Sequence, residues 1–394
     1  MARSQFRRSL RFENLEGRQL LSTAGPTNQE QYMLQLLNEA RTDPAAVEAQ
    51  ITSAANLTPD ILATLKYYNV NLQQVEQTIG NATPQPPLAW NQDLANAAQG
   101  QSQYEANTQT QTHTGANGST PQQRIEAAGY SNPTSSGENT YAYGSSVMQS
   151  MQAFLMDWGV PSDGHRINIQ QPGVAAQNAY TSVGIGLVNT SSSNPSFGPM
   201  VVTQDFASQA NTQAQVVGVA FNDTAGTGFY LPGEGAGGVQ IDAVNLKTGA
   251  VSSTQTWSSG GYELSLASGQ YRIIASQNDK VIQTSNVTIN NVNVEQDFVL
   301  TNTWQGGTRE AAIAAAQPQV APPVTVQAPT TTNSPVKIVG TLANVATSTQ
   351  PISSSMVGTL ANLTPSAQPS SSTVNAPSSF LAMFANSWSA WNAN

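Results

Sequence analysis

The 394 residues contain only two histidines, His113 and His165. Both stand in short, turn-rich settings, Thr112-His113-Thr114-Gly115 and Asp163-Gly164-His165-Arg166. Imidazole is the side chain that changes charge near neutral pH and the commonest metal ligand, and a histidine in a loop favours function over packing. Between the two lies Gly137-Glu138-Asn139, and no other glutamate follows before Glu234. Two imidazoles and one carboxylate suffice for a divalent ion such as zinc, with positions left for water or a ligand. In that arrangement Glu138 is also the candidate general base for activating a water. The gaps of 25 and 27 residues match no local metal motif, so only the fold can bring the three together. A purely structural reading stays open beside this one. Glu138 can tie a loop to backbone donors, and His165-Arg166 can open a helix.

The elements that must do this positioning are legible in the periodicity. Residues 27–42 read as an amphipathic helix, with Thr27 and Glu30 at capping-box spacing and Met33, Leu36, Leu37 and Ala40 on one face. Residues 44–82 carry a weaker helical pattern ended by Pro84, Pro86 and Pro87. A second helix is expected from Asp93 to about Glu105, with Leu94, Ala97 and Ala98 on one side. A short third one is capped by Thr120, opened by Pro121 and stopped by Gly129. A fourth, Ser145 to Trp158, has Val147, Met151, Phe154, Leu155 and Trp158 in one apolar stripe. Strand-like runs follow at Ser182–Val188 and Met200–Phe206. Helices first and strands late imply an α+β domain with helices covering a mainly antiparallel sheet.

From Val216 to Leu300 the helical period vanishes. Short β-prone runs separated by turn residues suggest a small all-β sandwich. Beyond Trp304 the chain is rich in Pro, Ala, Ser and Thr, and it repeats Val339-Gly340-Thr341-Leu342-Ala343-Asn344 at Val357–Asn362. Such a segment cannot bury enough surface to offset ordering entropy and reads as a disordered linker and tail. Its last residues add Phe380, Phe384, Trp388 and Trp391, consistent with either a docking helix or a sticky end. The expected domains are therefore 1–25, 26–210, 213–302 and 303–394.

The ordered motifs carry a resemblance. Pro87-Leu88-Ala89-Trp90-Asn91-Gln92-Asp93-Leu94, His113-Thr114-Gly115, Arg124-Ile125, Ala128-Gly129-Tyr130, Gly137-Glu138-Asn139, Trp158, Gly164-His165-Arg166-Ile167-Asn168-Ile169, Val183-Gly184-Ile185-Gly186 and Thr203-Gln204-Asp205-Phe206 occur in that order. Residues 26–210 thereby resemble the bacterial branch of the CAP superfamily, the SCP-like extracellular domains. The resemblance implies a three-layer α-β-α sandwich with a central cleft, in which two histidines and two acids can hold zinc. His113, Glu138 and His165 match three of the four. The second acid does not match, because residues 159–163 read Gly-Val-Pro-Ser-Asp; Asp163, or less favourably Asp157, is the substitute. Tyr130 is expected as a cleft wall rather than an acid, and Trp158 as core. A second resemblance, of Phe221–Glu234 to the first loop of adhesin B-type repeats, implies a calcium-binding β-sandwich. Only Asp223 and Glu234 survive of its ligand positions.

Composition bounds what such a protein does. Only 9% of residues are charged, the net charge is -9 and the sequence pI is about 4.7, so phosphate backbones are not attracted and nucleic acid is excluded as a partner. There is no cysteine, which removes disulfides and thiolate chemistry. No apolar run approaches the ~20 residues that span a bilayer. Five of 14 basic residues, Arg3, Arg7, Arg8, Arg11 and Arg18, crowd the start, where Phe12-Glu13-Asn14-Leu15-Glu16 and Arg18-Gln19-Leu20-Leu21 resemble an export or surface element. Three functions follow. One is an extracellular or envelope module binding a small apolar or peptide ligand. Another is a metal-dependent hydrolase using His113, Glu138 and His165, although H-E-x-x-H and G-x-S-x-G are both missing. The third is a structural envelope component at the cell surface. Oligomeric state is not legible.

Overall fold

The computed structural model describes residues 25–191, 197–300 and 306–318. The arginine-rich start, the six-residue repeat and the aromatic C-terminal stretch lie outside the described residues. α1 (Asn28–Thr42) opens with the expected reciprocal cap: Glu30 N–H donates to Thr27 Oγ1 at 3.3 Å and Thr27 N–H to Glu30 Oε2 at 2.8 Å. Two orphan donors are satisfied at once. α2 (Pro44–Ile51), α3 (Pro59–Tyr67) and α4 (Leu72–Gly80) fill the weakly patterned stretch. After β1 (Ala89–Trp90) come α5 (Gln92–Thr108), α6 (Pro121–Ala128), β2 (Pro133–Gly144), α7 (Val147–Met156), α8 (Gly164–Gln170), β3 (Ser182–Asn189) and β4 (Met200–Gln209).

The four strands form one sheet in the order β1-β3-β4-β2, antiparallel except where β1 pairs with β3. α5 and α6 cover one face, and α1, α7 and α8 the other. This is the three-layer sandwich. α5 lies against β3 at backbone contact: a Cβ on Gly184 or Gly186 would collide with the backbone of Leu94–Ala95 or Ala98–Gln99. The two glycines of the Val183-Gly184-Ile185-Gly186 motif are there because only hydrogen fits. β2 is the element that patterning did not show. Its residues are mostly polar, and several, Glu138, Asn139 and Thr140 among them, are buried.

The second region is a sandwich of two sheets. β6 (Gln240–Asn245), β7 (Val251–Gln255), β9 (Gly269–Gln277) and β10 (Lys280–Ile289) pair in the order β10-β9-β6-β7. β5 (Gln215–Phe221) pairs with β8 (Gly261–Ser265), β11 (Val294–Glu295) and β12 (Phe298–Val299). Val216, Val239, Ile241, Tyr262, Ile273 and Phe298 pack between the sheets.

Two features cross the expected bounds. The packing does not break at residue 210: Val219, Phe221 and Tyr230 belong to the same apolar core as Met33, Leu37 and Phe154. The Tyr230 hydroxyl donates to Asn28 O at 3.4 Å, and the rings of Tyr32 and Phe229 meet edge-on at 6.2 Å. Nor is the stretch from 303 uniformly unstructured, because α9 (Arg309–Ala316) lies within it. Thr308 caps it, its alanines favour helix, and Arg309 grips the buried Asp242 of β6 with two bonds of 2.6 Å. Ile313 packs against Val244, Ile274 and Val281.

Candidate functional site

His113 sits on the loop between α5 and α6, and that loop is pinned from three directions. Thr112 N–H donates to Glu105 Oε1 at 2.8 Å, Gly115 N–H to Ser119 O at 2.9 Å, and Arg124 Nη1 to the carbonyls of His113 at 3.0 Å and Ser119 at 2.9 Å. The imidazole, 38% exposed, meets Glu138 through Nδ1···Oε1 at 2.8 Å, while the Glu138 side chain is 1% exposed. The other oxygen of Glu138 takes a short bond from Arg124 Nη2. Both oxygens are thus engaged, by a ring and by a guanidinium.

This pair stands among further acids. Asp205 lies directly across from Glu138 in the β2–β4 register and is buried. Burial pushes its carboxyl well above the usual range, the Glu138 charge pushes further, and Arg124 opposes both. Glu105, fully buried on α5, is pushed up to about 7 by burial, against the bonds from Thr112 N–H and from Thr140 Oγ1 at 2.6 Å. One guanidinium therefore serves two carboxyl groups, Glu138 and Asp205. Nothing in periodicity pointed to Glu105 or Asp205, since a single acid in a polar helix or in the middle of a strand has no pattern of its own.

His165 belongs to a different pair. Strand residues alternate faces, so Asn139 points away from Glu138 and toward α8, where its Nδ2 donates to His165 O at 3.2 Å. The His165 ring meets Asp157 through Nδ1···Oδ1 at 2.6 Å, and Asp157 Oδ2 accepts from Arg166 N–H at 2.9 Å. Asp157 is buried at the left-handed end of α7. The acid beside His165 is therefore Asp157. Asp163, the substitute preferred from sequence, is bonded to Arg166 at 2.5 Å with its side chain 48% exposed. Tyr130 is 3% exposed in a cluster with Leu94, Ile125 and Ala207, which is core and not a cleft wall. Trp158 is buried in the main core as expected. Amides join the two pairs: Asn168 Nδ2 donates to Asn139 Oδ1 at 2.9 Å and to Glu138 O at 3.3 Å.

These residues do not fit zinc. Among the described residues no three His, Asp or Glu side chains group for a metal ion, and Arg124 already holds the free oxygen of Glu138. Calcium fares no better in the 222–234 loop. Asp223 accepts from Thr227 N–H and Gly228 N–H, both at 2.9 Å. Glu234 accepts from the amides of Thr224, Ala225 and Leu231 and from the Thr224 hydroxyl. Burial would raise the Glu234 carboxyl, but these bonds outweigh it and hold it below the usual value. The loop satisfies its own carboxylates, as a cation would otherwise do.

The sequence matches the cysteine-rich secretory protein family, CAP, over residues 34–231, half of the chain. The chain belongs to this family. It does so without any of the cysteines that give the family its name. That the CAP match runs to residue 231 agrees with the core shared by Phe221, Tyr230 and α1. Five chains of solved structure match. One is the 1.5 Å crystal structure of an extracellular protein containing an SCP domain from Bacillus anthracis str. Ames, 23% identical, with a TM-score of 0.25. The match covers 39% of this chain and 44% of that one, so the chain spans less than half the length of that relative. No curated protein matches. Among the described residues no helix is long and apolar enough to cross a membrane.

Proposed function

We propose that this CAP protein is an extracellular ligand-binding module that holds a small or peptide ligand through His113 without transforming it. The supporting observation is the state of Glu138. A general base needs a free oxygen within reach of the proton it takes, and both oxygens of Glu138 are committed to His113 and Arg124. The same bonds fix the His113 ring through Nδ1, so that Nε2 is the nitrogen available to a ligand at a half-exposed lip. A ring held by a buried carboxylate loses little freedom when it binds, which favours recognition.

The test pairs binding with turnover. Purified full-length protein is screened by NMR against a fragment and short-peptide library and assayed in parallel on casein and p-nitrophenyl acetate. The reading expects at least one binder that His113→Ala weakens tenfold or more, and no hydrolysis above buffer. Hydrolysis that His113→Ala abolishes overturns it in favour of the hydrolase. For the location, detection of the protein in the culture medium or on intact cells by antibody is expected; recovery only from the cytosol counts against it.

A further inference from the structure

A groove lies away from both histidines, where the CAP domain meets the β-sandwich. It holds about 610 Å³. Pro84, Pro86, Pro87 and Val294 give it apolar walls, and Glu295 and Asp297 bring carboxylates to it. Glu39 and Asp43 stand close enough to act electrostatically: burial pushes Glu39 up to about 7, with Asp43 and then Asp297 adding to the rise. Glu295 is raised by burial and then by Asp297. No ion pair among the described residues involves any of these four. Arg41, buried beneath the proline loop, gives its guanidinium to the carbonyls of Pro86, Ile169 and Tyr180 instead.

The hydrogen-bond inventory of the groove is one-sided in the same direction. Its donors are used: Thr42 Oγ1 shares its one hydrogen between Asn38 O at 2.9 Å and Glu295 Oε2 at 3.2 Å, and Asn293 Nδ2 donates to Pro87 O and Thr181 O. Acceptors are left over. Gln85, 5% exposed, lines the groove and donates through Nε2 to Gln171 O and Val174 O, while its Oε1 has no donor. Of the two carboxylates, Asp297 Oδ1 is taken by Val219 N–H at 2.7 Å; Glu39 Oε2, a buried acceptor outside the groove lining, has no donor. A buried acceptor without a donor carries an uncompensated desolvation cost. Surplus acceptors, carboxylates without a cation and flat proline walls call for one chemistry. It is a planar cation with several N–H donors and apolar faces, which among side chains is guanidinium.

We propose that this groove binds the arginine side chain of a partner peptide, with Glu295 and Asp297 as its carboxylate partners and Gln85 Oε1 as an added acceptor. The site is separate from the one that His113 serves, so the proposal goes beyond the binding role given above and does not depend on it. An arginine between the carboxylates would also favour their ionised forms, so binding at pH 6 releases protons.

The experiment is calorimetry of the full chain at pH 6 with acetyl-Gly-Arg-Gly-amide and its citrulline counterpart, which keeps the shape and loses the charge. The arginine peptide is expected to bind at least tenfold more tightly than the citrulline peptide. The heat should vary with the ionisation enthalpy of the buffer, and Glu295→Gln should weaken binding at least tenfold. Glu295→Gln resembles the protonated side chain, and an unchanged melting curve confirms its fold. His113→Ala should bind the arginine peptide as wild type does. Equal affinity for the two peptides, binding untouched by Glu295→Gln, or no binding at millimolar peptide overturns the proposal. A lysine peptide binding as tightly as arginine would overturn the guanidinium assignment.

Discussion

The two imidazoles of the CAP domain are held by the same bond and supported by opposite means. His113 leans on Glu138, whose charge is balanced by a side chain, Arg124, within reach of one more buried carboxyl, Asp205. His165 leans on Asp157, whose second oxygen is satisfied by a backbone N–H at the start of α8. Main-chain support is local and comes with the helix. Side-chain support is non-local and stakes two acids on one guanidinium. The comparison teaches that the His113 side is where electrostatics can be disturbed by a single change, and the His165 side is where geometry is built in.

The sharpest way to break the comparison is Arg124→Ala. Removing one partner of a buried ion pair costs about 3–5 kcal/mol, and here Glu138 and Asp205 would face each other without the cation. A urea titration should show that loss in the midpoint, and a loss below about 1 kcal/mol would mean the acids are already neutral. On the other side, Asp157→Ala removes a bond to His165 and the acceptor for Arg166 N–H. About 1–3 kcal/mol is expected for the groups left unsatisfied. The His165 ring signals should broaden or shift in NMR while those of His113 stay in place.

Solution pH separates the two sides more gently. Glu105 holds its proton in the folded state up to about 7, against an ordinary value of 4.5. Between those values the unfolded chain has lost a proton that the folded chain keeps. Its contribution is therefore full below about 4.5 and is lost as pH rises through about 7. Glu39 and Glu263, both pushed up to about 7 by burial, act in the same sense. The melting temperature should fall from pH 4.5 to 7.5, and Glu105→Gln should make that slope shallower; a rising melting temperature would contradict the burial of these acids. The smallest expected effect is with zinc. Titration at pH 7.5 should give no heat at micromolar metal, because Arg124 occupies the oxygen that a zinc ion would need. A one-to-one isotherm lost on His113→Ala would refute this.

How far the sequence carried follows from which interactions are local. The cap at Thr27 and Glu30, the stop at Gly129, the stripe of α7 and the apolar strands β3 and β4 are written in neighbouring residues and were read from them. β2 was not, because Glu138, Asn139 and Thr140 are polar residues buried by partners far away: Arg124, Gln204 and Glu105. Asp157 was passed over for Asp163 because the choice depends on a left-handed residue ending α7, which turns Asp157 back toward His165. α9 was hidden by its setting, since a run of alanines in a Pro- and Thr-rich stretch has no apolar period to betray it. Its packing on the sandwich comes from Arg309 and Ile313.

The grip of Arg309 on Asp242 has a mechanical side. β6 lies inside its sheet, between β9 and β7, so the paired guanidinium and carboxylate clamp the chain onto an inner strand and not a free edge. A pull on the chain after α9 would meet that clamp before any strand of the sandwich.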